Sequence, residues 1–175
     1  MKGCTINMSN DISVANDTKR AYKMKTVYED LLFANVEFEN KEEGIVFLSN
    51  ALLKKRKVKE GFAREVLKRE DSFPTGLPTH PYGVAIPHTE QEMVNETTLA
   101  FVSLKKPIFF KSILGDGSYV SVKFIFLLAS RDSDGHLKFM RNIMTAFQSE
   151  EIQNKLLSAN NSKELYEILS FIDKD

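Results

Sequence analysis

The sequence predicts a single α/β domain in which a small β-sheet lies between α-helices. Segments with the helical spacing of apolar residues alternate with short apolar segments that end at proline or glycine. Residues 119–129 first alternate apolar with polar side chains and then become wholly apolar. Such a run is typical of a strand covered on both faces, so it predicts a central strand with helices above and below it. A chain of 175 residues, 42% of them hydrophobic, can bury one core of this kind.

Two helices are predicted in the first half of the chain. One begins near Lys41 and carries an apolar face that ends at a basic cluster, residues 54–57. Four cations there suit the negative end of a helix dipole, so we interpret the cluster as a solvated helix end rather than a phosphate-binding patch. The second helix is expected from about Glu60 to Arg69, because Pro74 and Gly76 follow it.

Three strands follow. Residues 83–86 form a short apolar segment that Pro87 ends, since proline cannot donate a hydrogen bond to a sheet. A second strand is expected from Thr98 to Leu104, ended by Pro107, and a third from Tyr119 to Ala129. Between the last two, residues 115–117 read Gly-Asp-Gly, which predicts a turn.

Three helices complete the domain. The first begins near Ser133 or Asp134, and the second begins at about Glu150. In the last, Asn161 caps the helix and Glu164 stands three positions on, as in a capping box. The expected buried face of the first of these three helices consists of Leu137, Met140, Met144 and Phe147.

Composition excludes some classes of function. Residues 1–23 are polar without a sustained period, which predicts a flexible extension before a domain at 24–175. The formal net charge is +0, so nothing indicates a nucleic-acid or anionic membrane surface. With a single cysteine, Cys4, and no run of about 18 apolar residues, a cytoplasmic protein is expected.

Two of the three histidines stand where ligands bind α/β domains. His88 follows Pro87 at the carboxyl end of a predicted strand, and neutral imidazole is a good nucleophile for group transfer. His136 lies in the first turn of a predicted helix, where it tends to stay neutral and can donate to an anion. Gly76 and Gly83 allow close backbone approach, which we expect to leave room for a partner or a phosphate. The residues alone leave open that His88 is an ordinary loop histidine and His136 an ordinary surface one.

Other chemistries fit less well. A zinc site built from His80, His88 and His136 has enough ligands, but their spacing matches no metal-binding pattern. No Walker phosphate loop, His-Glu-x-x-His or Gly-x-Ser-x-Gly motif occurs. A metal-dependent hydrolase therefore stays a weak alternative.

Several segments together resemble the fructose/mannitol-type enzyme IIA domains of the bacterial phosphoenolpyruvate-dependent sugar phosphotransferase system. The similarity covers most of the chain from Met24 and lies in "VLKRED", "PTG", "GVAIPH", "LAFVSLKKPI", "VKFIFLLA" and "DGHLKFMRNIMTAF". The resemblance implies a small mixed β-sheet flanked by α-helices on both faces. It also implies a phosphotransferase component that needs no metal or organic cofactor.

The resemblance implies roles for four residues. His88 would accept a phosphoryl group from the histidine phosphocarrier protein HPr and pass it to a cysteine of a IIB component. His136 matches the second histidine of the family and would steady the phosphate, and Arg69 would pair with it. Thr89 would add a hydroxyl or a backbone amide.

One stretch departs from the commonest form of the family. Residues 77–82 lengthen the segment before the reactive histidine, which is similar to galactitol-type IIA proteins. His80 has no counterpart in the family, and we interpret it as a loop residue beside a partner-docking surface. A free-standing regulatory IIA protein, which controls partners by its phosphorylation state, would have the same sequence features and stays an alternative.

Overall fold

A five-stranded mixed sheet forms the centre of the molecule. The structure, a computed structural model, describes residues 25–173 apart from the side chains of residues 133–135. The extension predicted at residues 1–23 lies outside the described residues. The strands are β1 (Val27–Val36), β2 (Gly76–Leu77), β3 (Gly83–Ala85), β4 (Thr98–Lys111) and β5 (Tyr119–Ala129).

The strand order is β1-β4-β5-β3-β2. β4 pairs in parallel with β1 and antiparallel with β5, whereas β3 pairs in parallel with β5 and antiparallel with β2. The predicted mixed sheet and the central position of β5 are therefore confirmed. The edge strand β1 was not predicted as a strand, because apolar and polar residues do not alternate regularly along it.

Helices cover both faces of the sheet, as predicted. They are α1 (Lys41–Lys54), α2 (Phe62–Ser72), α3 (Ser133–Ala146), α4 (Glu150–Ser158) and α5 (Ser162–Leu169). Because successive side chains of a strand point to opposite faces, β5 contributes Ile125 and Leu127 to one core and Phe124 and Phe126 to the other. The first core contains apolar residues of α1 and α2, and the second contains those of α3, α4 and α5.

The structure agrees with the prediction at the start of α5 and at the end of α1. Asn161 caps α5, and its Oδ1 accepts a hydrogen bond from the Glu164 backbone N at 3.0 Å. α1 ends at Lys54, within the basic cluster, and Lys55 of that cluster forms an ion pair with Asp30. Among residues 25–173, no helix combines the length and the apolar character that crossing a bilayer requires.

The expectation that Pro107 ends its strand was wrong, because β4 continues to Lys111. The pairing of β4 with β5 is irregular between Ser103 and Ile108, and the last β1 residue paired with β4 is Val36, opposite Leu104. Pro107 therefore stands at a bulge on an edge that β1 no longer covers. A missing N–H removes no ladder hydrogen bond at such a position.

The predicted buried face of α3 was also partly wrong. Leu137 is 62% exposed and Met144 is 42% exposed, whereas Phe139 and Ile143 are buried against the sheet. The helix is thus rotated about its axis relative to the expectation. The exposed side chains Leu137 and Met144 face two clefts of the surface instead of the core.

Candidate functional site

His88 lies at the carboxyl end of the parallel pair β3 and β5. Pro87 has left β3, but its carbonyl still accepts a hydrogen bond from the Leu128 backbone N at 3.1 Å. His88 itself forms an isolated parallel bridge with Leu128. The imidazole is therefore held at the sheet edge where ligands of α/β domains bind, which is the position that the sequence predicts.

Both nitrogens of the His88 ring have defined partners. Nδ1 lies 2.9 Å from the Ile86 carbonyl oxygen, and Nε2 lies 3.2 Å from Nη2 of Arg69. A carbonyl oxygen only accepts, so Nδ1 carries the proton and donates it. Nε2 of the neutral ring then keeps its electron pair, which accepts from the guanidinium and is available to an electrophile.

Arg69 reaches the same place from α2, on one face of the sheet. Its Nη1 donates to Oε1 of Glu90 at 2.9 Å while Nη2 contacts the His88 ring. Its Nε is buried and has no hydrogen-bond partner within residues 25–173. The guanidinium carbon also lies 5.4 Å from the centre of the Phe73 ring, which limits its movement on that side.

His136 approaches from the other face of the sheet. It lies in the first turn of α3, and its backbone N donates to the Asp132 carbonyl at 3.2 Å. The centres of the His88 and His136 rings are 4.8 Å apart, at an angle of 58°. Histidines 48 positions apart in the sequence are therefore neighbours, as the resemblance implies.

These side chains line one open cleft of about 380 Å³. All four residues predicted to form the site border this cleft, and Thr89 is partly buried in its wall. No local pattern predicts the other lining residues, because their positions depend on which loops meet at the sheet edge. The lining consists of Arg69, His88, Thr89, Glu90, Gln91, Ser130, Asp132, His136 and Leu137.

Burial lowers the pKa of both imidazoles below the ordinary value of histidine. For His88, the hydrogen bond to Ile86 opposes this effect, while the neighbouring His136 and the Arg69 cation add to it. For His136, the Arg69 cation is the second cause of the lower pKa. Both rings are therefore neutral at pH 7, which is the form that a nucleophile and a hydrogen-bond donor to an anion require.

A buried carboxylate that the sequence did not reveal positions the strand before His88. Glu70 is 3% exposed and accepts hydrogen bonds from Thr75, at 3.0 Å from the backbone N and 2.7 Å from Oγ1. The Thr75 hydroxyl in turn accepts from the Ile86 backbone N at 3.2 Å. Burial raises the pKa of Glu70, and the two Thr75 donors oppose that rise. Thr75 of the Pro-Thr-Gly segment thus connects α2 to the residue whose carbonyl holds His88.

The glycines of this region serve the sheet. We expected Gly76 and Gly83 to leave room for a partner or a phosphate. A Cβ at Gly76 would lie 2.5 Å from the Lys111 carbonyl oxygen, and one at Gly83 would lie 2.3 Å from Cγ1 of Val120. That expectation was wrong, because both glycines instead allow neighbouring strands to approach each other.

His80 lies outside the cleft. It belongs to the loop between β2 and β3 and lines a separate apolar groove with Leu77, Leu114 and Met144, among others. Gln153 of α4 fixes this loop, because its Oε1 accepts from the Tyr82 backbone N and its Nε2 donates to the His80 carbonyl, both at 3.0 Å. Within the part of the chain that the structure describes, no three His, Cys, Asp or Glu side chains are placed to hold a metal ion.

Comparison with known proteins gives one family. Residues 26–171 match the sequence model of the EIIA 2 family of the phosphoenolpyruvate-dependent sugar phosphotransferase system. Multiphosphoryl transfer protein 1 of Escherichia coli (strain K12) is 26% identical over 140 residues, which are 79% of this chain but 16% of that protein. The chain therefore spans less than a fifth of the length of this relative. The galactitol-specific EIIA component of Escherichia coli (strain K12) is 22% identical over 125 residues, 71% of this chain and 83% of that component.

Solved structures share the fold. The mannitol IIA protein of Escherichia coli, in its complex with phosphorylated mannitol IIB, superposes with a TM-score of 0.69 and 23% identity, covering 84% of this chain and 98% of that one. The nitrogen regulatory protein IIA-Ntr of Neisseria meningitidis superposes with a TM-score of 0.68 and 24% identity, covering 82% and 95%.

Proposed function

We propose, since this chain belongs to the EIIA 2 family of the phosphoenolpyruvate-dependent sugar phosphotransferase system, that it carries a phosphoryl group on Nε2 of His88. The observation that carries the proposal is that each ring nitrogen of His88 has a defined hydrogen-bond partner. The Ile86 carbonyl fixes the proton on Nδ1, and the Nε2 electron pair points to a guanidinium. A nucleophile and a cation therefore lie side by side, as phosphoryl transfer requires.

Three neighbours would stabilise the transferred group. Arg69 supplies positive charge, and its Nη2, which contacts Nε2 of His88, can donate to a phosphate oxygen there. His136 offers a neutral imidazole at the amino end of α3, where the helix dipole also favours an anion. Thr89, beside the reactive ring, contributes a hydroxyl or a backbone amide. Orientation and fixed charge would provide most of the catalysis.

The proposed partners are the phosphocarrier HPr as donor and a cysteine of a IIB component as acceptor. The mannitol IIA protein, which shares this fold, is solved together with its phosphorylated IIB protein. Leu137 is an exposed apolar residue at the rim of the cleft, where a docked partner would contact it. A carrier that exchanges phosphate with such partners would work in the cytoplasm.

Galactitol is the proposed sugar of the system. Residues 77–82 lengthen the loop before His88 in the manner of galactitol-type IIA proteins, and the galactitol-specific component is among the relatives. A regulatory role is the second candidate, because IIA-Ntr superposes on this chain nearly as closely as mannitol IIA does. Onward transfer to a IIB cysteine distinguishes the two roles.

Incubation with phosphoenolpyruvate, enzyme I and HPr tests the proposal. The wild type should acquire one phosphate that is labile in acid and stable in base, as expected of phosphohistidine. His88→Ala should acquire none, and His80→Ala should be labelled like the wild type, because His80 lies in another groove. Full labelling of His88→Ala would refute the assignment.

A second arm of the same experiment tests His136. Since His136 contacts the His88 ring without holding its Nδ1 proton, His136→Ala should still accept phosphate. Its transfer to a IIB protein should be slower than that of the wild type. Unimpaired transfer would remove His136 from the mechanism. A wild type that accepts phosphate but passes none to the galactitol IIB protein would favour another sugar or the regulatory role.

A further inference from the structure

Glu90 is a charged residue of the cleft to which the sequence assigned no role. It stands two positions after His88, and its Oε1 accepts from Nη1 of Arg69 at 2.9 Å. Nη2 of the same guanidinium lies 3.2 Å from Nε2 of His88. One cation therefore bridges the reacting nitrogen and a carboxylate. The Arg69 side chain is 31% exposed and that of Glu90 is 72% exposed, so the carboxylate lies on the open side of the pair.

We propose that Glu90 is a positioning residue that competes with the phosphoryl group for Arg69 and so keeps the phosphohistidine ready for onward transfer. The inference rests on the proposed function of His88. It adds a role for a negative charge at a site that must receive a negative group and then release it.

The bonding changes at His88 explain the competition. The Nε2 electron pair forms a bond to phosphorus while the nitrogen–phosphorus bond of the donor phosphohistidine breaks and its electron pair returns to the donor ring. No proton moves, because Nδ1 keeps its proton against the Ile86 carbonyl. Once Nε2 is bound to phosphorus, it no longer accepts from Nη2 of Arg69. The phosphoryl oxygens and the Glu90 carboxylate then compete for the hydrogen bonds and the positive charge of the guanidinium.

Onward transfer reverses these changes. A thiolate of the acceptor forms a bond to phosphorus, the bond to Nε2 breaks, and its electron pair returns to the His88 ring. Nε2 can again accept from Arg69. Because Glu90 repels the phosphoryl dianion and retains part of the guanidinium, it raises the free energy of the phosphorylated state relative to the free one.

The charge of Glu90 affects the pKa of both imidazoles of the cleft. Burial is the main cause of the lowered pKa of His88, the neighbouring His136 and Arg69 contribute to it, and Glu90 acts in the opposite direction. At His136, Glu90 likewise opposes the effects of burial and of Arg69 on the pKa. A carboxylate that influences a proton on these rings also influences a dianion attached to one of them.

The variant Glu90→Gln isolates the charge, because an amide oxygen can still accept from Nη1. The measurement is the equilibrium constant for phosphoryl exchange between HPr and this chain. It is obtained from the amounts of the two phosphoproteins once they no longer change with time. At low ionic strength the variant should shift the equilibrium toward this chain by about threefold to tenfold, the order expected from removing one solvent-screened unit charge near a dianion. The shift should shrink in high salt.

Glu92→Gln is the matched control, because it removes the same charge from the same segment at a residue that does not line the cleft. An equal effect of the two substitutions, or a shift of Glu90→Gln toward HPr, would overturn the inference while leaving the proposed function intact. Thermal melting of both variants verifies that each is folded. If HPr fails to label even the wild type, the proposed function itself fails, and this inference with it.

Discussion

At the scale of single residues, the site depends on a short relay of hydrogen bonds behind His88. Glu70 accepts from Thr75, Thr75 accepts from the Ile86 backbone, and the Ile86 carbonyl accepts from Nδ1 of His88. Each link orients the next, so a carboxylate outside the cleft helps to position the carbonyl that fixes the tautomer of the reactive ring. A buried polar chain with every member satisfied rigidifies its surroundings.

The lowered pKa of His88 leads to a prediction about pH. The imidazole should titrate below 6.5, the ordinary value for histidine, because burial disfavours its charged form. Phosphoryl acceptance should then decline at a lower pH than it would for a histidine of ordinary pKa, because the charged ring has no free electron pair on Nε2. The unfolded chain takes up protons first, so the free energy of unfolding should fall as pH drops through 6.5. NMR titration of the His88 ring protons tests this, with the urea-unfolded protein as reference. A folded-state pKa at or above that of the unfolded protein would contradict it.

Sequence alone was sufficient for some of these residues and not for others. His88 follows a proline at the end of an apolar run, and His136 opens a helix, so local pattern places both at the same sheet edge. Glu90 and Asp132 have no such signal. They border the cleft because β3 and β5 are adjacent, and this pairing joins segments far apart in the chain.

At the scale of elements, two wrong predictions, the end of β4 and the buried face of α3, have one physical origin. Periodicity finds a helix or a strand, but neighbours decide how far it extends and which face it buries. Pro107 failed to end β4 because β1 is too short to pair with it there. Leu137 is exposed on α3 because the first turn of the helix borders an open cleft instead of the sheet.

Strand spacing at Gly76 gives a prediction about stability. A Cβ at this position would lie 2.5 Å from the backbone oxygen of Lys111, which cannot move without shifting β4. Gly76→Ala should therefore lower the free energy of unfolding by about 2 kcal/mol. Gly44→Ala is the control: its Cβ would meet side-chain atoms and no backbone, the end of Ile125 at 2.9 Å and the Phe38 ring at 3.4 Å, and alanine favours the helix by about 1 kcal/mol. Urea denaturation measures both, and equal effects would contradict the argument.

At the scale of the whole molecule, the sheet brings together groups held by both helical layers. Arg69 comes from α2 in one layer and His136 from α3 in the other, while the sheet carries His88 between them. The α/β class and the central strand β5 follow from local hydrophobic pattern. The strand order does not, because β1 and β2 at the two edges have weak patterns and their pairing depends on contacts far apart in sequence.

The conformation of the lengthened loop, residues 77–82, depends on α4 through Gln153, which is fully buried. Besides its two bonds to the backbone of His80 and Tyr82, its Nε2 donates to the Phe147 carbonyl at 2.8 Å. Leucine has a similar volume but would leave these backbone groups without partners. Gln153→Leu should therefore lower the free energy of unfolding by at least about 2 kcal/mol and speed amide exchange at Tyr82. The exposed Gln148 provides the control, since Gln148→Leu removes no such bond. Equal stability of the two variants, with Tyr82 still protected, would show that the loop holds its conformation without α4.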